Sequence, residues 1–224
     1  MAPNCSTNDS YIKNVGASNM GRVPSIVYWL EDRLYLNITN RCSNDCYFCL
    51  RRFKDGISGF NLTLQHDPSF IEIADALRGA MNRRSWREVV FCGFGEPLER
   101  LDCIVEVSKW VKRYFGLRIR VDTNGHGDLL NKGRDVAEEL KAAGVDAVSV
   151  NLNAHDKETY NKVCRPKFPD AFESVLDFVD RAKTRFYTEI TAVDVPEVNI
   201  QKLEEMAIRR GVNFRVRKYL SPVS

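Results

Sequence analysis

The sequence predicts an α/β fold in which six parallel strands alternate with helices. Three observations predict it. From residue 26 onward, short apolar stretches alternate with longer amphipathic ones, the pattern of repeated strand-helix units. Polar and glycine-rich residues gather where successive strands end. The chain has 224 residues, 44% of them apolar and 28% charged, which suffices for one good-sized core. Six parallel strands with right-handed crossovers form either an open doubly wound sheet or a partial barrel, and periodicity alone does not choose between them.

The elements follow in order. Residues 1–24 are rich in Asn, Ser, Gly and Lys and lack helical or strand period, so they are expected to form a flexible extension ahead of a single domain over 25–224. The first strand is expected at 34–39. It leads into a cysteine-bearing loop and then a helix over about 68–83, with Asp67 as N-cap and Pro68 at the first helical position. Strand 88–92 ends in Gly93-Phe94-Gly95-Glu96-Pro97, and a helix runs over about 101–114. Strand 117–121 opens onto Asp122-Thr123-Asn124-Gly125. A helix over about 133–143 passes through Gly144 into strand 145–150. Helices near 156–163 and 169–183, strand 187–193, a helix over about 200–210 and a short strand 213–216 complete the count. In either architecture ligands sit beyond the carboxyl ends of the strands, where residues 42–49, 93–97, 122–125 and 151–153 collect.

Composition excludes several classes of function. Lys and Arg exceed Asp and Glu by only 33 to 30, and the charges are interspersed, so nucleic acid is not indicated as a partner. No apolar run approaches a membrane span and no secretory pattern opens the chain, so the cytoplasm is the expected compartment. Seven cysteines without a secretory signal favour thiol or metal chemistry over disulfides. Cys5, Cys92, Cys103 and Cys164 are scattered singly, whereas Cys42, Cys46 and Cys49 fall within eight residues.

Those three thiols, spaced x3 then x2, can wrap a metal centre from one loop. Structural zinc normally needs four ligands; Cys92 could complete such a closed site. A four-iron cluster held by three thiolates instead leaves one iron open to an outside molecule. This spacing, with Phe48 before the third cysteine, resembles the motif of the radical S-adenosylmethionine (SAM) superfamily. The resemblance implies a partial (β/α)6 TIM-like barrel, a [4Fe-4S] cluster on Cys42, Cys46 and Cys49, and SAM chelated at the open iron. It further implies reductive cleavage of SAM to a 5'-deoxyadenosyl radical that abstracts hydrogen from substrate. Gly93, Gly95 and Glu96 resemble the Gly-Gly-Glu-Pro element that receives the SAM amino group, with Phe94 in place of the usual first glycine. By the same resemblance Asp122, Asn151 and Asn153 contact the ribose, Arg165 the SAM carboxylate, and the Phe48 backbone the adenine edge. No catalytic side chain is assigned.

A closer resemblance, over about 27–219, is to the TatD-linked radical SAM family, carried by residues 34–37 through Cys49, Arg52-Phe53-Lys54-Asp55-Gly56, residues 91–98, Asn124-Gly125-His126-Gly127 and Cys164-Arg165-Pro166. That family name conveys no substrate. Because the core fills nearly the whole chain, a small-molecule substrate is expected; a glycyl-radical activase and a non-catalytic iron-sulfur sensing module are the alternatives. Arg41, Arg51, Arg52 and Lys54 flank the cysteine loop, a basic rim suited to an anionic substrate or an acidic electron donor such as flavodoxin or ferredoxin. His126 is a candidate for proton transfer or a turn residue. No cysteine follows Cys164, so a second cluster is not expected. Oligomeric state is not readable.

Overall fold

The computed structural model describes residues 23–220. The expected N-terminal extension therefore lies, but for its last two residues, outside the described residues. Among those described, seven strands form one sheet: β1 (Val27–Leu30), β2 (Arg33–Leu36), β5 (Glu88–Phe91), β6 (Arg118–Thr123), β7 (Ala147–Asn151), β8 (Tyr187–Asp194) and β9 (Asn213–Lys218), side by side in that order. β1 is antiparallel to β2, and every later neighbour pair is parallel. The six parallel strands are those expected from periodicity. Their order in space repeats their order in the chain, with no point at which the winding reverses. Right-handed crossovers then put every helix on one face, and the sheet curls into a half-barrel rather than a doubly wound sheet.

Between the strands lie α1 (Phe70–Met81), α2 (Leu101–Phe115), α3 (Gly127–Leu130), α4 (Val136–Ala142), α5 (Lys157–Cys164), α6 (Ala171–Ala182) and α7 (Ile200–Arg210). Two features depart from expectation at the start of the chain. β1 adds an antiparallel edge strand, and a small hairpin, β3 (Gly56–Ile57) with β4 (Phe60–Asn61), occupies the connection to α1. The N-cap of α1 is Ser69, not Asp67: its hydroxyl accepts from the Glu72 amide while the Glu72 carboxylate accepts from the Ser69 amide, a reciprocal capping box. Pro68 consequently precedes the cap, and Asp67 pairs with Arg41 at 2.9 Å.

The sheet has two unlike faces, as strand alternation demands. Leu34, Leu36, Val89, Phe91, Ile119, Val121, Val148, Val150 and Ile190 point toward the helices and belong to one hydrophobic core. The opposite face carries Arg33, Glu88, Arg120, Asp122, Ser149, Glu189, Arg215 and Arg217, so the inside of the half-barrel is charged. A second, smaller apolar cluster of Tyr28, Phe60 and Leu62, joined by Phe94, seats the hairpin against β1 and β2. Among the described residues no helix is long and apolar enough to cross a membrane.

Candidate active site

A cavity of about 360 Å³ opens at the carboxyl ends of the parallel strands. Cys42, Cys46 and Cys49 line it from the loop after β2, together with Phe48. Gly93, Gly95 and Glu96 line it from the loop after β5, and Asp122, Asn151 and Asn153 from the ends of β6 and β7. Ten of the eleven residues singled out from the sequence thus share one space. Arg165 is the exception. It is the exposed C-cap of α5, with φ of 48°, and the groups it presents to the cysteine loop are backbone: its carbonyl accepts from the Asp45 amide at 3.3 Å. A cap turned out of the helix end points its side chain to solvent, and that removes Arg165 from the cavity wall.

The glycines owe their identity to packing. A Cβ on Gly93 would overlap the Asn37 side chain, and one on Gly95 would run into the carbonyls of Thr39 and Arg41. The loop after β5 is thereby pressed onto the cysteine loop, and the Glu96 amide donates to the Arg41 carbonyl at 2.8 Å. Phe94 contributes its side chain to the hairpin cluster, and its amide donates to Asn37 Oδ1 at 3.3 Å. The Glu96 carboxylate, 2% exposed, accepts from the Asn124 amide (2.6 Å), the Thr123 hydroxyl (2.7 Å) and the Leu98 amide (3.0 Å). Burial pushes it up to about 7, against the pull of those three donors.

Behind the cysteine loop lies a buried polar network. His126, which is fully buried, sits between Ser43 Oγ at 2.9 Å from Nδ1 and the Tyr160 hydroxyl at 2.8 Å from Nε2. Asn44 Nδ2 donates to the Tyr160 oxygen at 3.1 Å, and Asn124 Nδ2 to Ser43 Oγ at 2.9 Å. A neutral imidazole, with one N–H and one acceptor, satisfies both neighbours. Burial holds His126 in that form, pushing it down to about 4. His126 therefore clamps the loop from behind and takes no place in the cavity wall.

Two arginines of the basic rim also bond the loop itself. Arg51 donates to the carbonyls of Asn40 (3.3 Å) and Asn44 (3.1 Å), and Arg52 donates to that of Cys46 (3.0 Å) and pairs with Asp45. These guanidiniums hold the loop's turns in place. Among the thiols, Cys46 receives a hydrogen bond from Cys164, which keeps it below the usual thiol range, while burial pushes Cys42 up to about 12. Cys164, fully buried on α5, is a neighbour that spacing along the chain could not reveal. Cys92 lines the same cavity at the end of β5, where its carbonyl accepts from the Tyr28 hydroxyl at 3.2 Å.

Comparison with known proteins bears on the family and the fold. The radical SAM superfamily profile matches residues 36–208. GTP 3',8-cyclase of Rhodopirellula baltica is 28% identical over 198 residues, 84% of this chain and 48% of the relative. The chain spans about half the length of the curated relatives it matches. Among solved structures, TYW1 with a lysine-pyruvate adduct bound superposes with a TM-score of 0.62 at 17% identity, covering 95% of this chain and 74% of that one. Streptococcus suis SuiB bound to S-adenosylmethionine gives 0.62 at 17%, covering 98% and 48%. These structural likenesses support the fold. With a family profile spanning three-quarters of the sequence and the half-barrel it implies, the chain belongs to the radical SAM superfamily.

Proposed function

We propose that this chain holds a [4Fe-4S] cluster through Cys42, Cys46 and Cys49 and binds SAM beside it, acting on a small molecule in the cytoplasm with flavodoxin or ferredoxin as electron donor. The observation that carries the reading is the convergence of three loop thiols and the Gly93, Gly95 and Glu96 strand end on one cavity. The donor set fits the group: three soft thiols share a wall with Asn44, whose Oδ1 is buried without a partner. When bound, the cluster and SAM supply reductive cleavage to methionine and a 5'-deoxyadenosyl radical able to abstract hydrogen.

The chain's own residues bind and orient. Phe48, 8% exposed, closes the loop side. Asp122, whose Oδ1 accepts from Arg120 at 2.8 Å, keeps its other oxygen for a ribose hydroxyl. Asn151 accepts from the Thr191 hydroxyl at 2.7 Å, and Asn153, held at φ of 56°, accepts from the Val193 amide at 3.1 Å. Both are fixed before a ligand arrives, which lowers the ordering cost of binding. The cavity's size and the nucleotide in the names of the curated relatives favour a small-molecule substrate. The resemblance of those residue stretches to the TatD-linked radical SAM family supports reading the chain as a member of that branch, with residues 25–224 as a single core domain.

Anaerobic reconstitution with iron and sulfide, followed by reductant and SAM, tests this directly. The expected result is a four-iron absorbance and 5'-deoxyadenosine in the wild type, with both lost on replacing any one of Cys42, Cys46 or Cys49 by Ala. Bound zinc, or a cluster that forms without 5'-deoxyadenosine appearing, would overturn it.

A further inference from the structure

The charges on the inner face of the half-barrel pair off, except for one. Arg33, Glu88, Arg120 and Asp122 form a continuous chain, with Arg33 to Glu88 at 2.8 Å, Arg120 to Glu88 at 3.1 Å and Arg120 to Asp122 at 2.8 Å. Glu189 is held by Arg215 at 2.8 Å and accepts from the Ser149 hydroxyl at 3.0 Å. Three carboxylates thus meet three arginines. Arg118 stands at the exposed far end of β6, 4.0 Å from Glu88.

Arg217 follows Arg215 on the same face of β9, one step nearer the carboxyl ends of the strands, and lines the cavity. Among the described residues it makes no ion pair. Its Nη2 reaches only Asn153 Oδ1, at 3.5 Å, and its Nε is buried with no acceptor at all. Arginine does not deprotonate in proteins, so this is a standing, half-buried charge whose Nε donor is buried and unsatisfied, which is costly. The carboxylates nearby are already engaged: Asp122 attracts Arg217 across the cavity but is hydrogen-bonded by Arg120, Glu96 is held by three donors, and Lys218 adds a second cation.

We propose that Arg217 anchors an oxyanion subsite in the cavity, which takes a carboxylate or phosphate group of the substrate. A planar guanidinium with free donors is the natural partner for either group. This rests on the reading of the cavity as the radical SAM active site, and it narrows the substrate to an anionic small molecule.

The test titrates anaerobically reconstituted holoenzyme with pyrophosphate and, separately, with malonate, with and without saturating SAM, by calorimetry and by the shift in thermal midpoint. At least one of the two anions is expected to bind the wild type and to stay bound when SAM is saturating. Arg217→Met is expected to weaken that binding about 10- to 100-fold, the loss of a charge-assisted hydrogen-bonding partner. Arg217→Lys, which keeps the charge and gives up the fork, should fall in between, and it decides the matter alone if the Met variant does not fold. Arg209→Met, on the exposed face of α7, should bind as wild type. Three results would overturn the subsite: neither anion binding, undiminished binding by the Arg217 variants, or displacement of the anion by SAM, which would give Arg217 to the SAM carboxylate. 5'-Deoxyadenosine formation is followed in the same preparation, and its absence would refute the proposed function while leaving the anion titration readable.

Discussion

The two sides of the cavity are built on opposite plans. On the side of β2, β5 and β6, the cysteine loop is clamped by the His126 network, by Arg51 and Arg52 on its carbonyls, and by glycines that admit no Cβ. On the side of β9, a guanidinium is left with a buried, unmatched Nε. The first side is ordered by its own hydrogen bonds, Asn44 Oδ1 alone excepted, as a site must be when it holds a group whose geometry does not vary. The second carries unsatisfied polarity that only a ligand can complete, and natural proteins accept such instability where function needs it.

The comparison can be broken from the ordered side first. Because His126 is neutral and buried in the fold but ordinary in the unfolded chain, the unfolded state binds more protons between pH 6.5 and about 4. Stability is then full above pH 6.5 and is lost as pH falls through that window, by on the order of 3 kcal/mol at most. Urea unfolding of the apoprotein at pH 7 and pH 5 should show this loss, and His126→Gln should flatten it; equal slopes in the two proteins would remove the clamp from the account. Next, Gly95→Ala forces a methyl group between the Thr39 and Arg41 carbonyls and should cost about 1–3 kcal/mol, with iron retention falling in parallel. A variant as stable as wild type would mean that the two loops are not pressed together.

Asn124→Ala tests the ordered side once more. It removes the donor to Ser43 and the acceptor for the His126 amide, and the buried groups left behind should cost about 1–2 kcal/mol, read from the denaturant midpoint. The smallest effect has the opposite sign. Arg217→Met replaces an unmatched half-buried charge by an apolar side chain and should leave the apoprotein unchanged or stabilise it by about 1 kcal/mol. Destabilisation beyond that would show Arg217 to be structural, and the contrast between the two sides would fail.

Much of the ordered side was legible in the sequence. Three cysteines within eight residues and a glycine-bearing strand end are local signals, and alternation of apolar stretches located all six parallel strands. The rest depended on contacts between distant segments. Val27–Leu30 is short and follows a polar stretch, so nothing local marks it as a strand; its partner β2 does. His126 sits in a Gly-rich turn, and only the approach of Ser43 and Tyr160 makes it a clamp. Arg217 escaped notice because the last strand was expected to end at Val216. In β9 the alternation of Phe214 and Val216 with Arg215 and Arg217 suggests charges facing water, whereas in a half-barrel that face is the interior. Arg165 is the opposite case: its place beside Cys164 is near the site in sequence, but as an exposed helix cap it does not line the cavity.

The unreversed strand order has a consequence for how such a molecule can diversify. Neighbours in space are neighbours along the chain, so altering β8 and β9 leaves the pairing of β2 with β5 and of β5 with β6 untouched. Selection can therefore retool one end of the half-barrel for a new guest while the other keeps its inherited machinery.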